Sequence, residues 1–320
     1  MKAFQVSSYD IAPALVDVDT PEPGKDEVLL KTAACGLNFA DFLLAKGQYQ
    51  EKPPLPFTLG SEAAGTIQAV GDGVTSLKPG DRVATMGGSG GLAQYGVFAA
   101  DTCFKIPDAM SFEDAAAFQI AYGTSHVALD YKANLQPGEN LLVLGAAGGV
   151  GLTAIEIGKL MGANVIACAR GQDKLEVCRK MGADHLIDSE TDDIRAAVKA
   201  AGGADVVYDA VGGDQFKAAF RAVNPEARIL VIGFASGDIP QIPANHLLVK
   251  NVSVIGHYWG GYRVFKPSVI TDSMEKLFDW YSAGKLHPHI SFTFPLSDTA
   301  QALDTLRTRK STGKVVVTID

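Results

Sequence analysis

Beyond residue 140 the chain alternates short, almost unbroken apolar runs with amphipathic stretches of about ten residues. The runs Asn140–Leu144, Asn164–Ala169, His185–Asp188, Asp205–Val211, Arg228–Gly233 and Asn251–Gly256 read as six strands. Leu152–Met161 and Asp173–Met181 read as helices between them. Strands that are apolar on both faces and alternate with helices predict a parallel sheet covered on both sides. Residues 1 to about 119 have another rhythm, with short apolar runs such as Val28–Ala34 set between Gly/Pro turns. That rhythm predicts a barrel-like β domain. After Gly256 come a helix over Ser268–Ala283, a helix over Asp298–Arg309 and a strand over Lys314–Ile319.

The first of the six strands runs straight into Gly145-Ala-Ala-Gly-Gly-Val-Gly151 and then a helix. A strand, a glycine turn and a helix N-terminus together make a site for a pyrophosphate, because the first helical N–H groups lack partners. Gly148 and Gly151 fit the last two glycines of the G-x-G-x-x-G fingerprint, while Ala146 stands in the first place. The strand-before, helix-after context predicts a dinucleotide site at Gly148, Gly149 and Val150. Ligands of such sheets lie at the strand C-terminal ends, which brings in the loops after Val211 and Gly233.

The tip of the second strand distinguishes the two nicotinamide coenzymes, since an acid there binds a free ribose hydroxyl and repels a phosphate. Here the tip reads Ala169-Arg170-Gly171, followed by Lys174. Two cations suit a 2′-phosphate, and NADPH is the expected cofactor. Plain surface charges, or a Lys174 pair with Glu176 or Glu139, are the alternative. Asp173 reads as a helix cap.

Composition narrows the classes. A net charge of −8 with no basic block argues against nucleic acid as a partner. No apolar run reaches the ~20 residues of a membrane span, and the first residues lack the apolar core of a signal peptide. The four cysteines, at 35, 103, 168 and 178, form no C-x-x-C pair. A reducing, cytoplasmic compartment is expected.

Cys35–Tyr49, Pro56–Ile67, Gly80–Val83 and the Gly145–Gly151 turn together resemble the medium-chain dehydrogenase/reductase superfamily, and within it the zinc-free NADPH:quinone oxidoreductases. The resemblance runs from residue 1 to 320. It implies an α/β protein: a GroES-like β-barrel-type catalytic domain, 1–119 with 260–320, and a Rossmann doubly wound parallel sheet, 120–259. Zinc members ligate their metal through a cysteine and the histidine of a Gly-His-Glu motif. The matching residues here are Asn38 and the Ser61 of Gly60-Ser61-Glu62, both poor Zn²⁺ ligands, so no metal is expected. Cys35 lies three positions early and reads as buried and apolar.

Without a metal, the resemblance points to Asn38 and Tyr49 as catalytic residues, with Asp41 in the same loop. An amide can donate to an oxygen gaining charge, and a tyrosine can bond or stack with a quinone ring. Asn38 also matches a cofactor contact, as do Thr124, Phe234, Ser236 and Lys314. Each has a plainer reading: Asn38 as a helix cap, Asp41 as a first-turn carboxylate, Tyr49 as a wall residue, Thr124 bonding its own helix, Lys314 exposed. Leu43 stands where bacterial members often carry tyrosine. The expected activity is hydride transfer from NADPH to a quinone-type acceptor by a homodimer. Reduction of an activated C=C bond (an enone, a haloacrylate or an enoyl thioester) and non-catalytic NADPH binding are the alternatives.

Overall fold

The apolar runs beyond residue 140 form one six-stranded sheet in which every pairing is parallel. Across the sheet the order is His185–Asp188, Asn164–Ala169, Asn140–Leu144, Ala204–Asp209, Val223–Val231 and Ser253–Gly256. The chain thus starts in the middle, winds outward one way, then returns to wind the other, which creates a crevice beside the first strand. Leu141 to Leu144 are all 0% exposed, so both faces of that strand are covered. On one face Leu142, Leu144, Ile166, Cys168, Val207 and Ile229 cluster with Val198, Phe216 and Phe220 from the covering helices. Each such side chain contributes about 1.5–3 kcal/mol of burial. This computed structural model describes all 320 residues.

The sheet belongs to a unit spanning Ala121–His287; Met1–Ile120 and Pro288–Asp320 form the other. The stretch 260–287, which the resemblance places with the first domain, groups instead with the parallel sheet. The reason is its amphipathic helix, Pro267–Ser282, which buries Val269, Ile270, Met274 and Leu277. Its Ser273 hydroxyl also lies 2.8 Å from His126 Nδ1. His126 is buried, and burial pushes its pKa down to about 4. The helix Gln119–His126 continues as π-helical turns through Val127–Lys132.

The other unit is mostly antiparallel. Its larger sheet runs Ile290–Pro295, Lys314–Thr318, Glu27–Leu37, Glu62–Val70, Arg82–Met86 and Cys103–Lys105, with Tyr95–Ala99 also paired to Glu27–Leu37. A smaller sheet joins Ala14–Asp17, Lys2–Val6 and Phe57–Thr58. The eleven-residue strand Glu27–Leu37 is the hub. Its far end pairs Cys35 with Ala63 on one side, and Leu37 with Val315 on the other. These registers bring the starts of two distant strands, Glu62 and Lys314, to the end of the hub strand, next to Asn38.

Candidate active site

In the parallel unit the glycine turn has the geometry a phosphate needs. Gly145 has φ +69°, a conformation that favours glycine. A Cβ at Gly151 would overlap the carbonyl oxygens of Gly145 and Ala146, so only glycine lets the helix start this close to the strand. Gly148 is the extended N-cap of the helix Gly149–Leu160 and supplies no capping side chain. The first backbone bond into that helix is Leu152 N–H to Gly148 O. The N–H groups of Gly149, Val150 and Gly151 therefore stay without an acceptor at the positive end of the helix. A pyrophosphate fits this cradle.

The loops at the neighbouring strand ends are tied together. Asp209, 0% exposed, accepts the N–H groups of Val211 and Gly212 at 2.9 Å through one carboxylate oxygen. Its other oxygen is buried without a partner, and burial raises its pKa. Ser236 closes on the Val211 carbonyl from its backbone (2.9 Å) and its hydroxyl (2.6 Å). Phe234 is 38% exposed beside them.

At the second strand tip, Arg170 is exposed and its Nε lies 3.1 Å from Glu190. Both side chains are more than half exposed, so the pair is weak and a phosphate can compete for the guanidinium. Lys174 follows on the helix Gln172–Lys180. Glu176 pairs with Arg179, and Glu139 with Arg228. Asp188, on the adjacent strand, is the acid that sequence reasoning missed. It accepts the N–H groups of Gly171 and Glu190 at 3.1 Å, and these bonds hold its pKa down. Its role is to shape the loop that carries Arg170.

Thr124 is buried, and its hydroxyl makes no hydrogen bond, so the back-bonded helix reading fails for it. Its carbonyl accepts from His257 Nε2 at 3.1 Å, which places the imidazole proton on that nitrogen. Burial lowers the His257 pKa to about 4.

In the antiparallel unit the expected residues gather around a centre that the sequence reading did not foresee. Glu62 is 0% exposed. Its Oε1 accepts the Ile120 N–H at 2.9 Å; its Oε2 accepts Lys314 Nζ at 2.9 Å and Asn38 Nδ2 at 3.0 Å. Lys314 Nζ also donates to Asn38 Oδ1 at 2.7 Å. Because an ammonium can only donate, the orientation of the Asn38 amide follows from chemistry. Lys314 is 5% exposed, so the reading of an exposed lysine fails. Gly36 makes the approach possible, since a Cβ there would overlap the Ala116 carbonyl and press on Glu62.

Asp41 braces this group from behind. Fully buried, it accepts the Asn38 N–H at 2.7 Å and the Ser61 N–H at 3.2 Å. It is thus the first-turn carboxylate of the helix Phe39–Ala45, and more. Burial raises its pKa to about 6, with the Asn38 bond the largest opposing effect. Burial likewise raises the Cys35 thiol well above its ordinary value, as fits an inert core cysteine. Tyr49 is half-buried against the apolar cluster of Phe4, Leu44 and Phe57. No group of three or more His, Cys, Asp or Glu side chains is placed to hold a metal ion. The signal for Glu62 was visible, an acid opening the strand Glu62–Val70, but its partner lies 252 positions away.

Comparison with known proteins agrees with this arrangement. The model of the alcohol dehydrogenase GroES-like domain matches residues 24–108, and that of the zinc-binding dehydrogenases matches 149–278. A quinone oxidoreductase-like protein 2 homolog of Nematostella vectensis is 43% identical over 304 residues, 93% of this chain and 83% of that one. The quinone oxidoreductase-like protein 2 of Mus musculus is 38% identical over 96% of this chain and 89% of its own. The structure of Escherichia coli quinone oxidoreductase complexed with NADPH superposes with a TM-score of 0.90, at 27% identity, over 99% of this chain and 100% of that one. On these matches, the parallel sheet with its glycine turn and the antiparallel unit with its Gly-Ser-Glu strand, the chain belongs to the quinone oxidoreductase family of the medium-chain dehydrogenase/reductase superfamily.

Proposed function

We propose that this protein is a zinc-independent, NADPH-dependent oxidoreductase that reduces a quinone-type, electron-poor acceptor. The observation that carries the reading is the row of three unpartnered N–H groups, Gly149 to Gly151, at a turn where added side chains would clash. NADPH supplies a hydride from its nicotinamide ring. Gly148, Gly149 and Val150 receive its pyrophosphate, and Arg170 with Lys174 its 2′-phosphate. Val211, Phe234 and Ser236 border it, as Thr124 does with its unbonded hydroxyl. Asn38 polarises the acceptor, Lys314 reaches the cofactor, and Tyr49 offers a half-buried ring for the acceptor to lie against. The four unpaired cysteines suit a cytoplasmic location. Homodimer formation is supported by the outer strand Ser253–Gly256, a free sheet edge next to the exposed Leu248 and Val249.

The test is a panel of quinones, enones, α,β-unsaturated acids and enoyl thioesters, followed by NADPH absorbance. Quinones are expected to give the highest kcat/KM. Turnover of C=C substrates alone would overturn the acceptor, and binding of NADPH with no turnover would overturn the enzyme. Arg170→Glu is expected to raise the KM for NADPH about tenfold or more and leave that for NADH almost unchanged.

A further inference from the structure

Three buried hydroxyls meet at the first turn of the helix Gly149–Leu160. Ser125 and Tyr208 are 0% exposed and Thr153 is 5% exposed. Ser125 lies on the helix Gln119–His126, Thr153 on the helix that leaves the glycine turn, and Tyr208 on the strand Ala204–Asp209. Ser125 Oγ is the hub, 2.8 Å from Thr153 Oγ1 and 3.0 Å from the Tyr208 hydroxyl. It also reaches the Val150 carbonyl at 3.0 Å. Thr153 Oγ1 reaches that same carbonyl at 3.1 Å, the Ala121 carbonyl at 3.1 Å and the Gly149 carbonyl at 3.3 Å.

Counting protons gives this relay a direction. The Tyr208 hydroxyl has Ser125 Oγ as its partner, so it donates there or leaves a buried proton unpaired. Burial raises the pKa of the phenol, which keeps that proton in place. Ser125 and Thr153 hold one proton each. One of these closes the bond between them; the other goes to a main-chain carbonyl, and Val150 O is within reach of both hydroxyls. That oxygen shares its peptide group with the Gly151 N–H, as Gly149 O does with the Val150 N–H. Both N–H groups belong to the row that lacks acceptors at the helix start. A donor at the carbonyl end holds the plane of the peptide and polarises it, which strengthens the N–H at the other end.

We propose that Tyr208, Ser125 and Thr153 are positioning residues that aim and polarise the peptide groups of the phosphate cradle and so set the affinity for the cofactor's pyrophosphate. The inference rests on the cofactor reading of the glycine turn and deepens it. The three side chains act through main-chain carbonyls rather than by touching the phosphate. Stability alone does not call for them. A buried hydroxyl bond replaces one made to water in the unfolded chain, and apolar side chains of nearly the same shape would fill the space.

The experiment compares Tyr208→Phe and Ser125→Ala with the wild type. NADPH binding is read by nicotinamide fluorescence, and 2′-AMP binding by its displacement of NADPH. This second ligand carries the adenosine and the 2′-phosphate but no pyrophosphate. Ser125→Ala removes the hub and should weaken NADPH about tenfold; Tyr208→Phe removes only the outer donor and should weaken it about threefold. Affinity for 2′-AMP should stay within about twofold. In turnover the KM for NADPH should rise with kcat nearly unchanged. Ser125→Thr keeps a hydroxyl and should restore part of the loss. Unchanged NADPH affinity in both variants, even with lowered unfolding midpoints, would overturn the proposal, because a merely structural relay predicts that result. An equal loss for NADPH and 2′-AMP would overturn it too. Should Ser125→Ala not fold, Tyr208→Phe, which keeps the ring, decides on the same ratio. Failure of the wild type to bind NADPH or 2′-AMP would instead sink the cofactor reading beneath it.

Discussion

The Tyr122 hydroxyl lies 2.6 Å from Glu156 Oε2, and the other oxygen of that carboxylate accepts the His287 N–H at 2.8 Å. Glu156 sits on the helix that starts at the glycine turn. It holds the first and last segments of the parallel unit, Ala121–His287, onto that helix. Tyr122 and Glu156 are 1% and 8% exposed, so the bond is made away from water. Hydrogen bonds to charged groups contribute about 1.5–3 kcal/mol. Tyr122→Phe is expected to lose about that much in urea unfolding, and Glu156→Leu more, because it also strands the His287 N–H. Unchanged midpoints would show that the clamp is ornamental.

The Lys314–Glu62 pair should behave as buried ion pairs do. Glu62→Leu leaves an ammonium without its carboxylate and is expected to cost about 3–5 kcal/mol. The double variant Glu62→Leu/Lys314→Met removes both charges and should recover most of that loss, although its activity does not return. A double-mutant cycle by denaturation reads the coupling, expected to exceed about 1 kcal/mol. Simple additivity would mean that the two side chains do not interact.

Asp41 gives a pH signature. Its pKa is about 6 in the fold, raised by burial, and about 3.9 in an unfolded chain. Between those values the folded state holds the extra proton, so stability falls as pH rises from about 4 through about 6. The span corresponds to roughly 3 kcal/mol. Asp41→Asn cannot ionise and should lack this slope, while losing about 1–3 kcal/mol at low pH because its NH₂ faces a backbone donor. The measurement is the difference in unfolding free energy between wild type and variant from pH 4 to 7. Comparing the two cancels the opposite trends of His126 and His257, whose lowered pKa values make stability rise over the same window. Parallel curves would refute the raised Asp41.

Gly151→Ala places a methyl group against two carbonyl oxygens of the turn. The helix start must move away from the strand, which disturbs the three free N–H groups. NADPH affinity is expected to drop at least tenfold and stability by about 1–3 kcal/mol. Gly171→Ala is the control. A Cβ there meets nothing within 4 Å, and only its φ of +76° opposes it, so stability should fall with a much smaller loss of affinity.

The parallel sheet was legible because strands covered on both faces must be continuously apolar, and Leu141–Leu144 carries that mark in its composition alone. The glycine turn was legible for a like reason: Gly148 and Gly151 answer to local sterics. Residues 260–287 were misplaced, since an amphipathic helix reveals that it has an apolar face but not which surface takes it. Lys314 and Glu62 were each visible, yet nothing local says that one strand's first residue meets another's. That meeting depends on how both register against Leu37 and Cys35.

The cation at the centre of the antiparallel unit is 276 positions from the amide it touches. Glu62 is likewise made 252 residues before the ammonium that pairs with it. The buried ion pair cannot form until the strand Lys314–Thr318 pairs with Glu27–Leu37. The pairing of that strand and the burial of its charge are thus made in one step.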